Sequence, residues 1–318
     1  MESYADILRD DEKYVLSLRT LYERAGYMRY RMKKFEEYSL YLENKSFLGR
    51  RSIITVTSPG GKLLALKPDI TLSIVKSSAA AESASPVKAY YSENVYAPDT
   101  DGDTIKEIPQ VGVEYLDSGA AGSNFAPAVA EVVSLAAKSL ELLGCRWVLC
   151  LSHMGFINAV LDEAALEGKA RVRAAELLAS KNSHGLIELM GEIGQRRQGE
   201  KLAVLAGLSG DPESTADRAE AVVSSAKAKA YLEELRSLCR DISGDSGRDG
   251  SIQLDFSVIN DVDYYGGAVF KGFADGVPRA VLTGGRYDRM AEKLGRGGGA
   301  VGFAVLMEEL GRLFRTKA

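Results

Sequence analysis

Cysteine is scarce, with three in 318 residues: Cys145, Cys150 and Cys239. An odd count without metal-ligand spacing excludes a full disulfide framework and fits a reducing, cytoplasmic compartment. Cys145 and Cys150 flank an apolar run and read as buried strand thiols. Histidine is rarer still, with only His153 and His184 and no Cys/His cluster beside either. That argues against a metal site, and no Ser-His-Asp or Cys-His arrangement is legible. A basic excess is also missing: 40 Lys and Arg stand against 44 Asp and Glu, for a net charge of −4. A surface for nucleic acid usually shows as a basic stripe, so tRNA is not an expected partner. No apolar run approaches the roughly 18 residues of a membrane span. The opening MESYADILRDDEK has no apolar signal-peptide core. Neither a P-loop nor a GxGxxG element after a strand is present. The pair Gly284-Gly285 and the segment GRGGGA (295–300) read as a tight turn and a short loop. No cofactor is implied.

What is present is ordinary for a globular chain: 46% apolar and 26% charged residues. The length allows a large core and one or two domains. Tyr14, Val15, Leu18, Leu21, Tyr22 and Ala25 recur at helical spacing, and Gly26 stops the run. RSIITVT (51–57), a Ser-Pro-Gly-Gly turn and KLLAL (62–66) predict a β-hairpin. Pro68 predicts a short helix running into Ser77. VKAYYS (87–92) and IPQVGVEYL (108–116) predict two strands around the acidic turn PDTDGDT (98–104). Pro127 and Gly144 bracket a helix, and CRWVLCLS (145–152) follows as a buried strand. Residues 153–250 then turn rich in Ala, Leu, Glu, Lys and Arg at helical spacing and end in the polar linker DISGDSGRDG. They read as a helical insertion and linker between a body of residues 1–152 and 251–318. Strands, a helix, a helical insertion and more strands predict an α+β fold with an antiparallel sheet flanked by helices.

Five segments in order carry a resemblance: LALKPDIT (64–71), YYSENVY with KEIPQVGVEY (90–115), IQLDFSVINDVDYYGGAVFKGF (252–273), VLTGGRYDRMAEKLG (281–295) and AVGFAVLMEELGRL (300–313). Together they resemble the catalytic domain of histidyl-tRNA synthetase, a class II synthetase. The resemblance covers most of residues 10–318 and is weakest in the helical insertion. It implies a histidine pocket. Asp69 and Thr71 stand where an acid and a threonine meet the ligand's α-ammonium. Gln110 and Glu114 have the same strand parity and point to one face. Tyr264 and Tyr265 follow Asp263 in the DYY element. Carboxylates pair with an ammonium, while Glu114 and a tyrosine hydroxyl suit the two imidazole nitrogens. The alternative for these positions is exposed strand residues at Gln110 and Glu114 and core tyrosines.

The residues for nucleotide chemistry are missing from this resemblance. Ala97, Asn260 and Glu309 stand where the family has phosphate-gripping arginines. Arginine suits that work through its planar, bidentate fork. Removal of one transition-state donor costs roughly 10²–10³ in rate, so adenylation is not expected. Lys106, Arg286 and Arg296 remain nearby in sequence, and Arg286 reads as structural. The chain reaches Ala318 soon after the third motif, so no anticodon-binding domain is expected. This combination is similar to the regulatory subunits of ATP phosphoribosyltransferase. It implies a non-catalytic, cytoplasmic chain that dimerises and binds a short-form catalytic subunit. In histidine biosynthesis that assembly joins ATP to phosphoribosyl pyrophosphate under feedback inhibition by histidine. Two alternatives stay open: a histidine-adenylating enzyme, and a free-standing histidine sensor with another partner.

Overall fold

The computed structural model describes residues 7–48, 52–80, 85–99, 103–117, 119, 124–242, 244, 250–259 and 264–316. The chain begins with α1 (Asp10–Arg24), β1 (Met28–Arg29), β2 (Phe35–Glu37), α2 (Tyr38–Glu43), β3 (Thr55–Thr57), β4 (Leu63–Leu66) and α3 (Thr71–Ala80). The hairpin β5 (Val87–Pro98) and β6 (Ile105–Leu116) follows, then α4 (Ala126–Glu141) and β7 (Trp147–His153). Helices α5 (Met154–Glu163), α6 (Gly168–Ala179), α7 (Ser183–Glu192) and α8 (Arg196–Gly207) lead to β8 (Ser209–Gly210), α9 (Pro212–Glu220) and α10 (Ala226–Ile242). The C-terminal part is β9 (Gly250–Asp255), β10 (Ala268–Ala274), β11 (Leu282–Arg286), α11 (Asp288–Lys293), β12 (Ala300–Leu306) and α12 (Met307–Thr316).

Nine strands form one sheet in the order β1-β5-β6-β12-β11-β10-β7-β9-β8. From β5 to β7 every neighbouring pair is antiparallel, as expected. Nearer the edges, β1 pairs with β5 and β7 with β9 in parallel, which the sequence reading did not anticipate. A parallel pair needs a long crossover connection, and the helices α5 to α10 supply it between β7 and β9. The predicted hairpin forms as the shorter β3 and β4, and β2 joins it in a second, three-stranded sheet.

Strand alternation gives the large sheet two different faces. On one face Val111, Val113, Val301 and Val305 pack in a core that includes α1 and α4. Helix α4 has Pro127 in its first turn and buries Val129, Val132, Val133, Leu135 and Leu140. Each such side chain contributes roughly 1.5–3 kcal/mol when fully buried. The same core continues into the helical segment through Leu186, Leu202, Leu232 and Leu235. The other face carries a separate cluster with Tyr41, Leu72, Tyr91, Tyr264 and Tyr287.

Two local readings are corrected. The helix expected from Pro68 starts at Thr71, because the Asp69 carboxylate accepts from the Leu72 amide at 2.9 Å and sets the first turn there. Cys150 is a buried strand thiol, but Cys145 lies before β7 and is half-buried.

Candidate ligand-binding site

The floor of the site follows from strand register. Along β6 and β12, Gln110 pairs with Leu306, Gly112 with Ala304 and Glu114 with Gly302. Ala304 and Gly302 pair in turn with Thr283 and Gly285 of β11. Gly112, Gly285, Gly302 and Ala304 leave a hollow above the sheet. A Cβ at Gly302 would collide with the Glu114 carboxylate, and one at Gly285 would lie 2.7 Å from the Tyr265 ring. Glycine therefore permits the close approach of Glu114 and Tyr265.

The resulting cavity measures about 530 Å³. The start of α3 supplies Asp69, Ile70 and Thr71, and β5 and β6 supply Tyr91, Gln110 and Glu114. Tyr264, Tyr265, Phe47 and Leu48 also line it, with the Phe47 and Tyr264 rings edge-to-face at 6.2 Å. All six residues singled out from the sequence thus line one cavity. A larger hollow of about 750 Å³ between α1, α12 and the β5–β6 hairpin shares only Gln110 with it.

Glu114 is the chemical centre of the site. It is 2% exposed, so it is not a solvent-facing strand residue. Its Oε1 accepts from the Thr71 hydroxyl at 2.7 Å, and its Oε2 accepts from the Tyr287 hydroxyl. Burial pushes the carboxyl up to about 8; the hydroxyl donors Tyr287 and Thr71 pull the other way, and nearby Asp69 adds to the rise. The rings of Tyr264 and Tyr265 lie 4.5 Å apart, and Tyr264 is 5.7 Å from Tyr287. Burial also raises the phenols of Tyr264 and Tyr287 well above the usual tyrosine range. The site is an apolar, aromatic box with a few converging oxygens, which suits a small ligand with basic or hydrogen-donating groups.

Sequence reasoning missed Tyr287, the residue that holds Glu114 in place. Its signal was the quoted GGRYD element, but only the fold turns that phenol toward β6. Asn260, read as an arginine replacement, lies outside the described residues. Ala97 pairs with Lys106 across the β5–β6 hairpin. The Lys106 ammonium meets Glu308 at 2.6 Å, and Glu309 meets Arg279 at 3.4 Å. Both glutamates occupy the first turn of α12, where carboxylates complement the helix dipole. Arg286 serves the structure: it binds Asp288 at 2.8 Å and lies over the Phe125 ring. Buried Arg296 donates to the main-chain carbonyls of Asp117, Ser78 and Ser85. The His153 imidazole caps α5, accepting from the Phe156 amide at 3.2 Å. Among the described residues no helix is long and apolar enough to cross a membrane.

Comparison with known proteins gives consistent matches. The histidyl-tRNA synthetase family model matches residues 6–310. The ATP phosphoribosyltransferase regulatory subunit of Anaeromyxobacter dehalogenans is 31% identical, over 95% of this chain and 87% of its own. The crystal structure of an ATP phosphoribosyltransferase regulatory subunit/histidyl-tRNA synthetase from Bacillus halodurans has a TM-score of 0.82 at 24% identity, covering 94% of this chain and 78% of that one. A chain of the Thermotoga maritima ATP phosphoribosyl transferase (HisG:HisZ) complex has a TM-score of 0.71 at 17% identity, covering 94% and 97%.

Proposed function

Because the chain belongs to the histidyl-tRNA synthetase family, and within it to the ATP phosphoribosyltransferase regulatory subunits, we propose that it reports histidine to a catalytic subunit through the Glu114 cavity. It is the regulatory chain of that enzyme in histidine biosynthesis, not its catalyst. The carrying observation is that Asp69, Thr71, Gln110, Glu114, Tyr264 and Tyr265 converge on one cavity. In this reading Asp69 and Thr71 take the ligand's ammonium. Glu114 and a tyrosine hydroxyl take the imidazole nitrogens, and Gln110 supplies a further polar contact. The assignment rests on the chemistry of the groups: two carboxyl groups for two basic groups, in an aromatic-lined cavity.

The partner in this reading is a short-form catalytic chain. The complex from which the Thermotoga maritima neighbour comes supports it. The chain also pairs with itself as a dimer, leaves tRNA alone and works in the cytoplasm. The net charge of −4 supports the indifference to tRNA. The adenylating alternative is disfavoured by Glu308 and Glu309. They place two carboxylates, one of them neutralising Lys106, where α12 would otherwise offer its N-terminus to a phosphate.

Calorimetry and a coupled assay test the reading. Glu114→Ala leaves buried partners unpaired, about 1–3 kcal/mol, so histidine affinity should fall about tenfold or more. Mixed with the catalytic chain, the protein should give a larger species by light scattering and raise turnover of ATP with phosphoribosyl pyrophosphate. Histidine should suppress that turnover, less so in the variant. Separate elution at micromolar concentration with an unchanged rate would refute the partnership, and unchanged affinity in the variant would move the histidine site elsewhere.

A further inference from the structure

We infer that the Glu114 cavity recognises imidazole amines by their two basic groups and gains nothing from an α-carboxylate, so that carboxyl-free histidine analogues bind at least as well as histidine. This rests on the histidine reading above and narrows its ligand class.

The argument is one of charge. Among its described residues, the lining contains two acids, Asp69 and Glu114, and no lysine, arginine or histidine. The hydrogen-bond donors at Glu114 are the hydroxyls of Thr71 and Tyr287, not cations. Among the described residues, Lys67, Lys293 and Arg296 are engaged outside the cavity: Lys293 donates to the Glu43 carbonyl at 3.2 Å. Lys67, 1% exposed, points its ammonium at Glu93, 3.0 Å away. Arg296 is held by three main-chain carbonyls. A bound carboxylate draws its affinity from a bidentate guanidinium, an ammonium or several convergent amides. Here it would find only the carboxyl groups of Asp69 and Glu114, and no cation among the described lining residues. An amine beside Asp69 and an imidazole beside Glu114 meet the opposite situation. The rise of the Glu114 carboxyl to about 8 agrees with a group that lacks a cation until a basic ligand arrives.

Titration calorimetry of the full chain at neutral pH with four probes tests this. Histidinamide and histamine should bind within about threefold of histidine or more tightly, and imidazolepropionate, which lacks the amine, at least about tenfold more weakly. Histidine binding about tenfold tighter than both amines would overturn the inference and leave the histidine reading standing, since it would reveal a carboxylate partner. Equal binding of imidazolepropionate would also overturn it. If none of the four probes binds, the cavity is not the histidine site, and reading and inference fall together.

Discussion

Replacing Glu114 by glutamine should change stability with a sign that depends on pH. In the native chain the Glu114 carboxyl is raised from 4.5 to about 8, chiefly by burial. The unfolded chain therefore releases this proton near the ordinary carboxylate value, while the folded chain keeps it. Between those two values the native state binds more protons than the unfolded state, so stability falls as pH rises. The fall is about 1.4 kcal/mol per pH unit. It is absent below the unfolded value, accumulates to a few kcal/mol, and levels off above about pH 8. Glutamine cannot titrate and escapes this loss. It gives up one acceptor, however, because its NH2 group only donates, whereas the hydroxyl oxygen of the protonated carboxyl can still accept, so one of the Thr71 and Tyr287 hydroxyls loses its acceptor. A buried, unsatisfied group costs about 1–3 kcal/mol at any pH. Glu114→Gln should then be less stable than wild type near pH 5 and more stable near pH 8–9, crossing at roughly pH 6. Urea melts of both proteins at unit steps of pH measure this. A difference that stays constant from about pH 5 to 9 would show that Glu114 titrates normally and that its burial has no electrostatic cost.

Two further substitutions and one activity assay test other parts of the structure. Lys67→Met strands the Glu93 carboxylate, 19% exposed, without its buried cation; denaturant unfolding should show a loss of about 3–5 kcal/mol, largely restored by adding Glu93→Leu, and a fully stable single variant would contradict the buried pair. Gly302→Ala drives a methyl group into the Glu114 carboxylate and to 2.6 Å from the Val113 carbonyl oxygen. It should cost about 1–3 kcal/mol and abolish histidine binding by calorimetry; wild-type affinity would show that the floor can give way. Histidine-dependent exchange of pyrophosphate into ATP should be absent, with Glu308 and Glu309 opening α12, and robust exchange would reinstate the adenylating enzyme.

Local chemistry made much of this protein legible before its fold was known. Pro127 and Gly144 bracketed α4 because proline suits a first helical turn and Gly144 adopts a φ of +64° beyond its end. The Ser-Pro-Gly-Gly step marked the β3–β4 turn, with the Gly61 amide bonded back to the Ser58 carbonyl. Parity alone placed Gln110 and Glu114 on one face of β6, and ordered motifs added Asp69, Thr71, Tyr264 and Tyr265. Less legible were the parallel pairs β1–β5 and β7–β9. Their strands are short or remote in sequence, and alternation does not reveal a partner's direction.

The sequence by itself determined most of the longer elements, the α+β class, the family and six of the side chains that line the cavity, because these depend on residue type, periodicity and order along the chain. Tertiary structure alone decided what those side chains do to one another. The Tyr287 hydroxyl reaches Glu114 across 173 positions, Gly302 makes room for that carboxylate through strand register, and Lys67 finds Glu93 inside the fold. The raised carboxyl of Glu114 belongs to the same class of fact. Desolvation is set by what packs around a group, and packing is fixed only when distant segments meet.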